Sequence, residues 1–156
     1  FSVVVKLHPS ESVMAYRDQI DKYPGVRFLD ASTATKEEVL TIADVVVCHN
    51  TGFGLESLAR GKPVVVLDCI SEPLLGAGDF ARLGGCPVAR STIELKQIID
   101  RIFSDTEYRE DILEKGSRFV NTVYAATGGK AAENAAEFIC EVTKKHISEK
   151  PVIDPS

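Results

Sequence analysis

Two of the three uninterrupted runs of three valines in this chain constrain its fold more than any other feature. They occur as DVVVC at residues 44–48 and PVVVL at residues 63–67. A strand that carries apolar residues on both of its faces is typical of a parallel sheet covered by helices on both sides. The two runs therefore predict a buried parallel sheet.

Shorter apolar runs and helical patterns extend this prediction along the chain. The runs are residues 2–7, 26–29 and 86–89, and the helical patterns cover residues 11–23, 36–43, 54–60, 93–104, 107–126 and 130–146. Strand followed by helix, repeated, indicates an α/β fold with right-handed crossovers. We expect a Rossmann-like three-layer sandwich, a five-stranded parallel sheet with helices on both faces. The strand order 2-1-3-4-5 would make the first and third strands neighbours.

Length and composition narrow the class of protein. The chain has 156 residues, 44% of them hydrophobic, and a formal net charge of -5. This composition excludes disorder as the main state, no apolar run is long enough to span a bilayer, and the scattered Lys and Arg residues argue against nucleic-acid binding. Residues 1–148 are expected to form one domain and residues 149–156 a flexible tail. Because Phe1 opens directly into a strand, we expect the domain to be part of a longer polypeptide.

The cysteines carry no metal or redox signature. Without a CxxC pair, they are expected to be small buried hydrophobes in a reducing cytoplasm, and no metal site is expected. The four are Cys48, Cys69, Cys86 and Cys140.

A histidine follows the first predicted strand. KLHPS, residues 6–10, places His8 at the carboxyl end of that strand, where ligands of open α/β sheets bind. The alternative is a loop histidine that is hydrogen-bonded to the backbone, with Pro9 setting the turn and Ser10 capping the next helix. Both interpretations stay open, and His8 is the candidate catalytic residue.

A glycine-containing turn, HNTGFGLES at residues 49–57, follows the third strand. Gly52 and Gly54 allow backbone N–H groups to approach an anion, and the start of a helix adds partial positive charge. Thr51 or Asn50 is expected to cap the helix or to hydrogen-bond the same phosphate. The turn predicts a diphosphate site, whereas His49 is expected only to line it. The candidate ligand-binding residues here are Asn50, Thr51, Gly52, Phe53, Gly54, Glu56 and Ser57.

Glu56 is expected within about the first turn of the helix that begins at this loop. A carboxylate there gains roughly 0.3–1 kcal/mol from the helix macrodipole. It could also accept both hydroxyls of a ribose whose phosphates lie on the glycines. The two roles are compatible.

A longer segment, LLGAGDFARLGGCP at residues 74–87, joins the fourth and fifth strands. Its four glycines and its departure from the ligand side of the sheet predict a ligand-contacting loop or lid, with Asp79 as its main polar contact. Asp68, at the end of the fourth strand, is either a second contact or a turn cap.

The stretch ADVVVCHNTGFGLESLARGKPVVVLD, residues 43–68, together with His8 and Pro9, resembles the C-terminal nucleotide-binding half of GT-B glycosyltransferases. Within that superfamily it is most similar to capsule-polysaccharide transferases, teichoic-acid glycerophosphotransferases and non-hydrolysing UDP-sugar 2-epimerases. The matching pattern is an Ala-Asp strand, a Thr-Gly-x-Gly turn, a Glu five residues before a Gly, and Gly-x-Pro opening the next strand. GGKAAENAAEFI, from residue 128, resembles a helix start common near the end of such chains.

The resemblance implies a role for several residues. Thr51, Gly52 and Gly54 would face a diphosphate, Glu56 would hold the ribose, and His8 would neighbour the phosphates or the transferred group. It also implies a missing N-terminal Rossmann-like domain that binds the acceptor, so this domain alone would be an incomplete enzyme. The superfamily's C-terminal half usually begins one strand earlier. Without that strand, the five strands could still close up in the order 2-1-3-4-5, with the loops carrying His8 and Thr51 on neighbouring strands. If the native protein has the strand and it is cut away here, the two loops would lie one strand further apart.

Three functions are compatible with these patterns. The first is the donor-binding domain of a cytoplasmic nucleotide-sugar or nucleotide-polyol transferase in cell-surface polysaccharide synthesis, with the nucleoside-diphosphate-linked donor as substrate and no other cofactor. The second is a UDP-sugar 2-epimerase-like half-enzyme. The third is a non-catalytic flavodoxin-like ligand-binding module.

Overall fold

The computed structural model describes residues 1–49, 51–69, 79–123 and 129–148. The predicted tail at 149–156 and the first five residues, 74–78, of the predicted loop at 74–87 lie outside these ranges. The described part alternates strands and helices, with a 3-10 turn at Val13–Tyr16. In chain order the elements are β1 (Val3–Lys6), α1 (Arg17–Lys22), β2 (Val26–Leu29), α2 (Lys36–Ile42), β3 (Val46–Cys48), α3 (Gly52–Ala59), β4 (Val64–Leu67), α4 (Asp79–Arg82), β5 (Val88–Ala89), α5 (Thr92–Ser104), α6 (Thr106–Val123) and α7 (Ala131–Ser148).

The strands form two parallel sheets instead of one. β1 pairs only with β2, from Val3 opposite Val26 to Lys6 opposite Leu29. β3, β4 and β5 form the second sheet in that order. The predicted five-stranded Rossmann-like sheet is therefore wrong, because no described ladder joins β1 to β3. Apolar runs indicate which faces are covered, whereas pairing depends on main-chain hydrogen bonds along strand edges. The predicted neighbours β2-β1 and β3-β4-β5 are therefore found, whereas the predicted pairing of β1 with β3 is not.

β4 lies at the centre of the three-stranded sheet and is buried on both faces. Val64, Val65 and Val66 all have 0% of their surface exposed. Because successive side chains point to opposite faces, Val64 and Val66 enter one core and Val65 enters the other. The first core contains Leu40, Val46, Leu58, Val64, Val66, Cys86, Phe119 and Val120, and the second contains Val65, Ala89, Ile102 and Ile112. Helices therefore cover both faces of this smaller sheet, as expected.

The segment between α3 and β4 shows why GKP follows the helix. Gly61 has φ +66°, a left-handed conformation that an L-residue adopts only with strain. Its N–H donates to the Leu58 carbonyl, and the Lys62 N–H donates to the Ser57 carbonyl, which is the Schellman ending of a helix. The Pro63 carbonyl then accepts from the Val46 N–H and starts the sheet. The Gly-x-Pro part of the motif thus has a structural role.

α2 connects the two sheets. It follows β2, and its Leu40 is 1% exposed within the first core beside β3 and β4. Thr35 and Glu38 form a capping box at its start. At its end the Lys62 Nζ donates to the Ala43 carbonyl at 2.9 Å. Leu40 and Lys62 therefore hold the helix against the three-stranded sheet, and the capping box stabilises the start of the helix itself.

The close packing of α6 on α3 depends on a glycine. A Cβ at Gly116 would lie 2.9 Å from Leu58 Cδ2. Leu58 is buried and cannot move away without disturbing the first core. Gly116 therefore permits an interhelical approach that a larger residue would prevent.

We expect Gly116→Val to lower the free energy of unfolding by roughly 1–3 kcal/mol, because the added methyl groups overlap Leu58. Urea denaturation followed by circular dichroism measures this. Gly25→Val is the control, since a Cβ at Gly25 meets nothing within 4 Å, and it should change stability by less than about 0.5 kcal/mol. Equal losses in the two variants would contradict the packing role of Gly116.

Candidate functional site

The turn after β3 leads into α3 two residues earlier than the pattern predicts. Thr51 is the N-cap, and its side-chain oxygen accepts from the Phe53 N–H at 3.2 Å. Gly52 is the first helical residue, is exposed, and has open space where a Cβ would stand. The first turn of α3 contains no acidic residue. The partial positive charge of the helix start is therefore not neutralised from within the helix.

Glu56 is the fifth residue of α3, two residues further in than expected. The Lys36 Nζ, at the start of α2, lies 2.7 Å from its Oε1 and 2.8 Å from its Oε2. The two side chains are 47% and 41% exposed. The hydrogen bond to Glu56 raises the pKa of Lys36. Glu56 thus lies too far along α3 to act as a first-turn carboxylate, and it joins α3 to α2.

Other predicted ligand residues of α3 face into the domain. Ser57 is fully buried, and its hydroxyl donates to the Phe53 carbonyl at 2.6 Å. Phe53 packs against the first core. Gly54 is buried and its N–H donates to the Thr51 carbonyl at 3.0 Å. These residues build the helix, so only its beginning is open to a ligand.

Two predicted residues cannot be assessed in the same way. Asn50 lies outside the described residues. Asp79 is the first residue of the short helix α4, but its side chain is outside the described part. Both remain predictions.

His8 lies in a compact hydrogen-bonded turn after β1. The Ser10 N–H donates to His8 Nδ1 at 3.2 Å, and the Ser10 hydroxyl lies 2.7 Å from the same nitrogen. Since Nδ1 accepts a hydrogen bond, a neutral ring carries its proton on Nε2. The backbone N–H of His8 donates to Glu11 Oε2 at 2.8 Å. The turn therefore fixes the ring and leaves Nε2–H as the donor for an anionic group.

Two carboxylates hold this turn in place. Glu11 accepts from the Tyr16 hydroxyl, and this bond together with the His8 N–H lowers the pKa of Glu11. Asp30, directly after β2, accepts from the Ser32 hydroxyl at 2.6 Å and from the Val13 N–H at 3.3 Å. These hydrogen bonds lower the pKa of Asp30 to about 2. Asp30 thereby ties the segment that follows His8 to the end of β2.

A shallow depression of about 250 Å³ lies at the carboxyl ends of β3 and β4. Nδ1 of His49 is buried and has no hydrogen-bond partner among the described residues. An unpaired buried polar atom costs roughly 1–3 kcal/mol, so this position is not optimised for stability. The sequence predicts only that His49 lines the turn, because His49 belongs to no spacing pattern typical of a catalytic or metal site. The depression is lined by Val47, Cys48, His49, Leu67 and Cys69.

The cysteine prediction is half right. Cys48 and Cys86 pack in the first core, whereas Cys69 and Cys140 are exposed. Burial raises the pKa of Cys48 to about 11 and that of Cys86 to about 12. The buried pair therefore behaves as expected, and the exposed pair does not.

One predicted residue, Glu56, is paired with a residue that the sequence did not mark. Lys36 at the start of α2 forms an ion pair with Glu56 in the middle of α3. No hydrogen bond or ion pair among the described residues joins His8 to Thr51, Gly52 or Glu56. Within the same ranges, no group of His, Cys, Asp and Glu side chains is arranged to hold a metal ion. No helix in them combines the length and hydropathy that a membrane span requires.

Comparisons of the chain with protein-family models, with curated proteins and with solved structures returned no match. The case for a function therefore depends on the residues and geometry described above.

Acid should weaken the fold partly through Asp30. The pKa of Asp30 is depressed, so its contribution to stability is complete above its unfolded value of about 4 and is lost as pH falls to about 2. Asp30→Asn should lower the melting temperature at pH 7 and flatten its fall between these pH values. Asp21→Asn, at an exposed position in α1, is the control. If Asp30→Asn kept the wild-type pH dependence, the anchoring role would be contradicted.

The thiols should separate into two reactivity classes. A pKa of about 11 reduces the thiolate fraction of Cys48 at pH 8 by roughly two orders of magnitude relative to an ordinary thiol, and burial also blocks access. Iodoacetamide followed by peptide mass spectrometry should therefore modify Cys69 and Cys140 first, and Cys48 and Cys86 only after unfolding. Equal labelling of all four cysteines in the folded protein would contradict the packing of Cys48 and Cys86 in the first core.

Proposed function

We propose that this domain binds a nucleoside-diphosphate-linked donor at the start of α3. In this proposal it is the donor-binding domain of a nucleotide-sugar or nucleotide-polyol transferase acting in cell-surface polysaccharide synthesis. The observation that carries the proposal is the open helix start at Gly52, directly after a parallel strand and without an acidic residue in its first turn. Ligands of parallel α/β sheets bind at the carboxyl ends of the strands, and helix starts stabilise diphosphate charge.

The diphosphate would lie against the backbone N–H groups at Gly52. Because no Cβ stands there, phosphate oxygens can approach the main chain. Stabilisation by oriented amides needs no metal ion. The apolar depression formed by Val47 and Leu67 lies beside this helix start and offers a surface to the base.

Glu56 would bind the ribose while it stays paired with Lys36. An ionised carboxylate has about four acceptor positions on its two oxygens. The Lys36 ammonium contacts both oxygens and leaves acceptor positions for the ribose hydroxyls. Lys36 therefore belongs to the proposed site, although no motif pointed to it.

His8 would donate its Nε2–H to the phosphates or to the transferred group. Its orientation by Ser10 and Glu11 supports such a role. The acceptor and a general base would come from a separate N-terminal Rossmann-like domain. The domain by itself would then bind the donor without turning it over.

A non-catalytic ligand-binding module is the second candidate. Thr51, Glu56 and His8 each have a partner within the chain, so each has a structural role that does not require a nucleotide. This observation favours a scaffold in which the resemblance to transferases is confined to helix capping and ion pairing. Binding measurements separate the two candidates.

Isothermal titration calorimetry with UDP, CDP, GDP and inorganic pyrophosphate tests the proposal. At least one nucleoside diphosphate should bind with a dissociation constant below about 1 mM, equivalent to roughly 4 kcal/mol. Gly52→Ala should weaken binding of both the nucleotide and pyrophosphate at least about tenfold, since the new methyl group stands between phosphate and backbone. Gly52→Ala should leave stability intact, because its Cβ meets nothing.

Glu56→Gln should weaken the binding of the nucleoside diphosphate more than the binding of pyrophosphate. Glu37→Gln is the matched control, since Glu37 is also an exposed helical carboxylate, with Arg60 as its ion-pair partner. Absence of binding by every nucleotide at about 1 mM would overturn the donor-binding proposal in favour of the non-catalytic module. Equal losses for nucleotide and pyrophosphate would remove only the ribose role of Glu56.

A further inference from the structure

Among the described residues, β1 and β3 each have one unpaired edge. β1 pairs only with β2, and β3 pairs only with β4. The Leu7 N–H, directly after β1, donates toward β2, and the Val46 N–H of β3 donates toward β4. Because successive residues of a strand direct their main-chain groups to opposite edges, the residues between them face the other way. The N–H groups that face the unpaired edges are those of Val4, Lys6 and Val47.

The valines beside these two edges have the pattern of interior strands without the burial. β1 contains three consecutive valines, as β4 does. Val3 is 50% exposed, and Val4 and Val5 are half-buried. On β3, Val47 is 41% exposed, although Val65, its neighbour in register on β4, has no exposed surface. Since apolar residues on both faces are typical of a strand inside a parallel sheet, both edges lack a neighbour.

The helices place the two sheets side by side. α2 leads from β2 to β3 and α3 leads from β3 to β4, and Leu40 of α2 and Leu58 of α3 pack in the same core. Right-handed crossovers lie on one face only when both move across the sheet in the same direction. β2 therefore lies beyond β3, on the side away from β4. On the other face, the Phe1 ring, two residues before β1, contacts Phe103 of α5.

The observed pairs match one of the two common strand orders of doubly wound sheets. The order 2-1-3-4-5 requires β1 to pair with β3, and no described ladder joins them. The order 3-2-1-4-5-6 consists of the groups 3-2 and 4-5-6 with strand 1 between them. The observed groups β2-β1 and β3-β4-β5 are the same two groups when the five strands are counted as the second to the sixth.

We propose that the position between β1 and β3 binds one further parallel strand, which completes a six-stranded sheet. The main chain of this strand pairs with both unpaired edges, and its side chains are apolar on both faces and cover Val3 and Val47. In the order 3-2-1-4-5-6 the central strand comes first in the sequence, so it belongs to the polypeptide that precedes Phe1. This proposal depends on strand topology and not on the nucleotide site.

Amide hydrogen exchange followed by nuclear magnetic resonance tests the strand by comparing residues 1–156 with the longer polypeptide. In the longer polypeptide, the amide protons of Val4 and Val47 should exchange at least about tenfold more slowly. The amide protons of Leu7 and Val46 are the internal controls, because they already have carbonyl partners and should be protected in both. Fast exchange of Val4 and Val47 in the longer polypeptide, or a native polypeptide that begins at Phe1, would overturn the proposal.

A proline substitution tests the same edge through thermal stability. Proline has no N–H and is tolerated in a strand where that group faces solvent at a sheet edge. In residues 1–156, Val4→Pro should lower the melting temperature no more than the matched variant Val4→Ala. In the longer polypeptide Val4→Pro should lower it more than Val4→Ala, because a hydrogen bond to the added strand is lost. The same difference between the two variants in both polypeptides would contradict pairing at this edge.

Discussion

Burial of β4 on both faces is the constraint on which the rest of the structure depends. Three consecutive valines with no exposed surface require apolar cover above and below the sheet. α3 and the end of α6 supply one cover, and α5 and the beginning of α6 supply the other. Burying a valine side chain contributes about 1.5–3 kcal/mol, so this strand has a large share of the stability of the domain. It also fixes the positions of the turns on either side of it.

The chain passes from one sheet to the other through α2, and no described strand ladder joins the two sheets. Leu40 of α2 enters the core beside β4, and Lys62 binds the end of the same helix. On the surface, Lys36 at the start of α2 pairs with Glu56 in the middle of α3. Phe1 contacts Phe103 of α5 in a tilted arrangement, with ring centroids 4.9 Å apart. α2 thus packs against the part that carries α3 and follows, along the chain, the part that carries His8.

The same motif residues serve folding and the proposed site. Gly61 ends α3 through its positive φ, and Thr51 begins it by capping the Phe53 N–H. A resemblance based on Thr-Gly-x-Gly and Gly-x-Pro therefore combines helix boundaries with ligand contacts. Gly52 differs from these residues, because it is exposed and no described contact accounts for it. Substitution of Gly52 therefore distinguishes a binding role from a structural role better than substitution of the other residues of the motif.

The sequence by itself determined the alternation of strands and helices, the burial of the valine run in β4 and the glycine turn that opens α3. These features depend on local periodicity, capping and backbone conformation, which neighbouring residues decide. Only the tertiary structure decided that β1 and β3 do not pair, that Glu56 binds Lys36, and that Cys69 is exposed while Cys48 is half-buried against the first core. Strand pairing and the Lys36–Glu56 contact join segments far apart in the chain, and the burial of a thiol depends on which elements pack over it. The hydrophobic periodicity of the sequence contains no information about such long-range contacts.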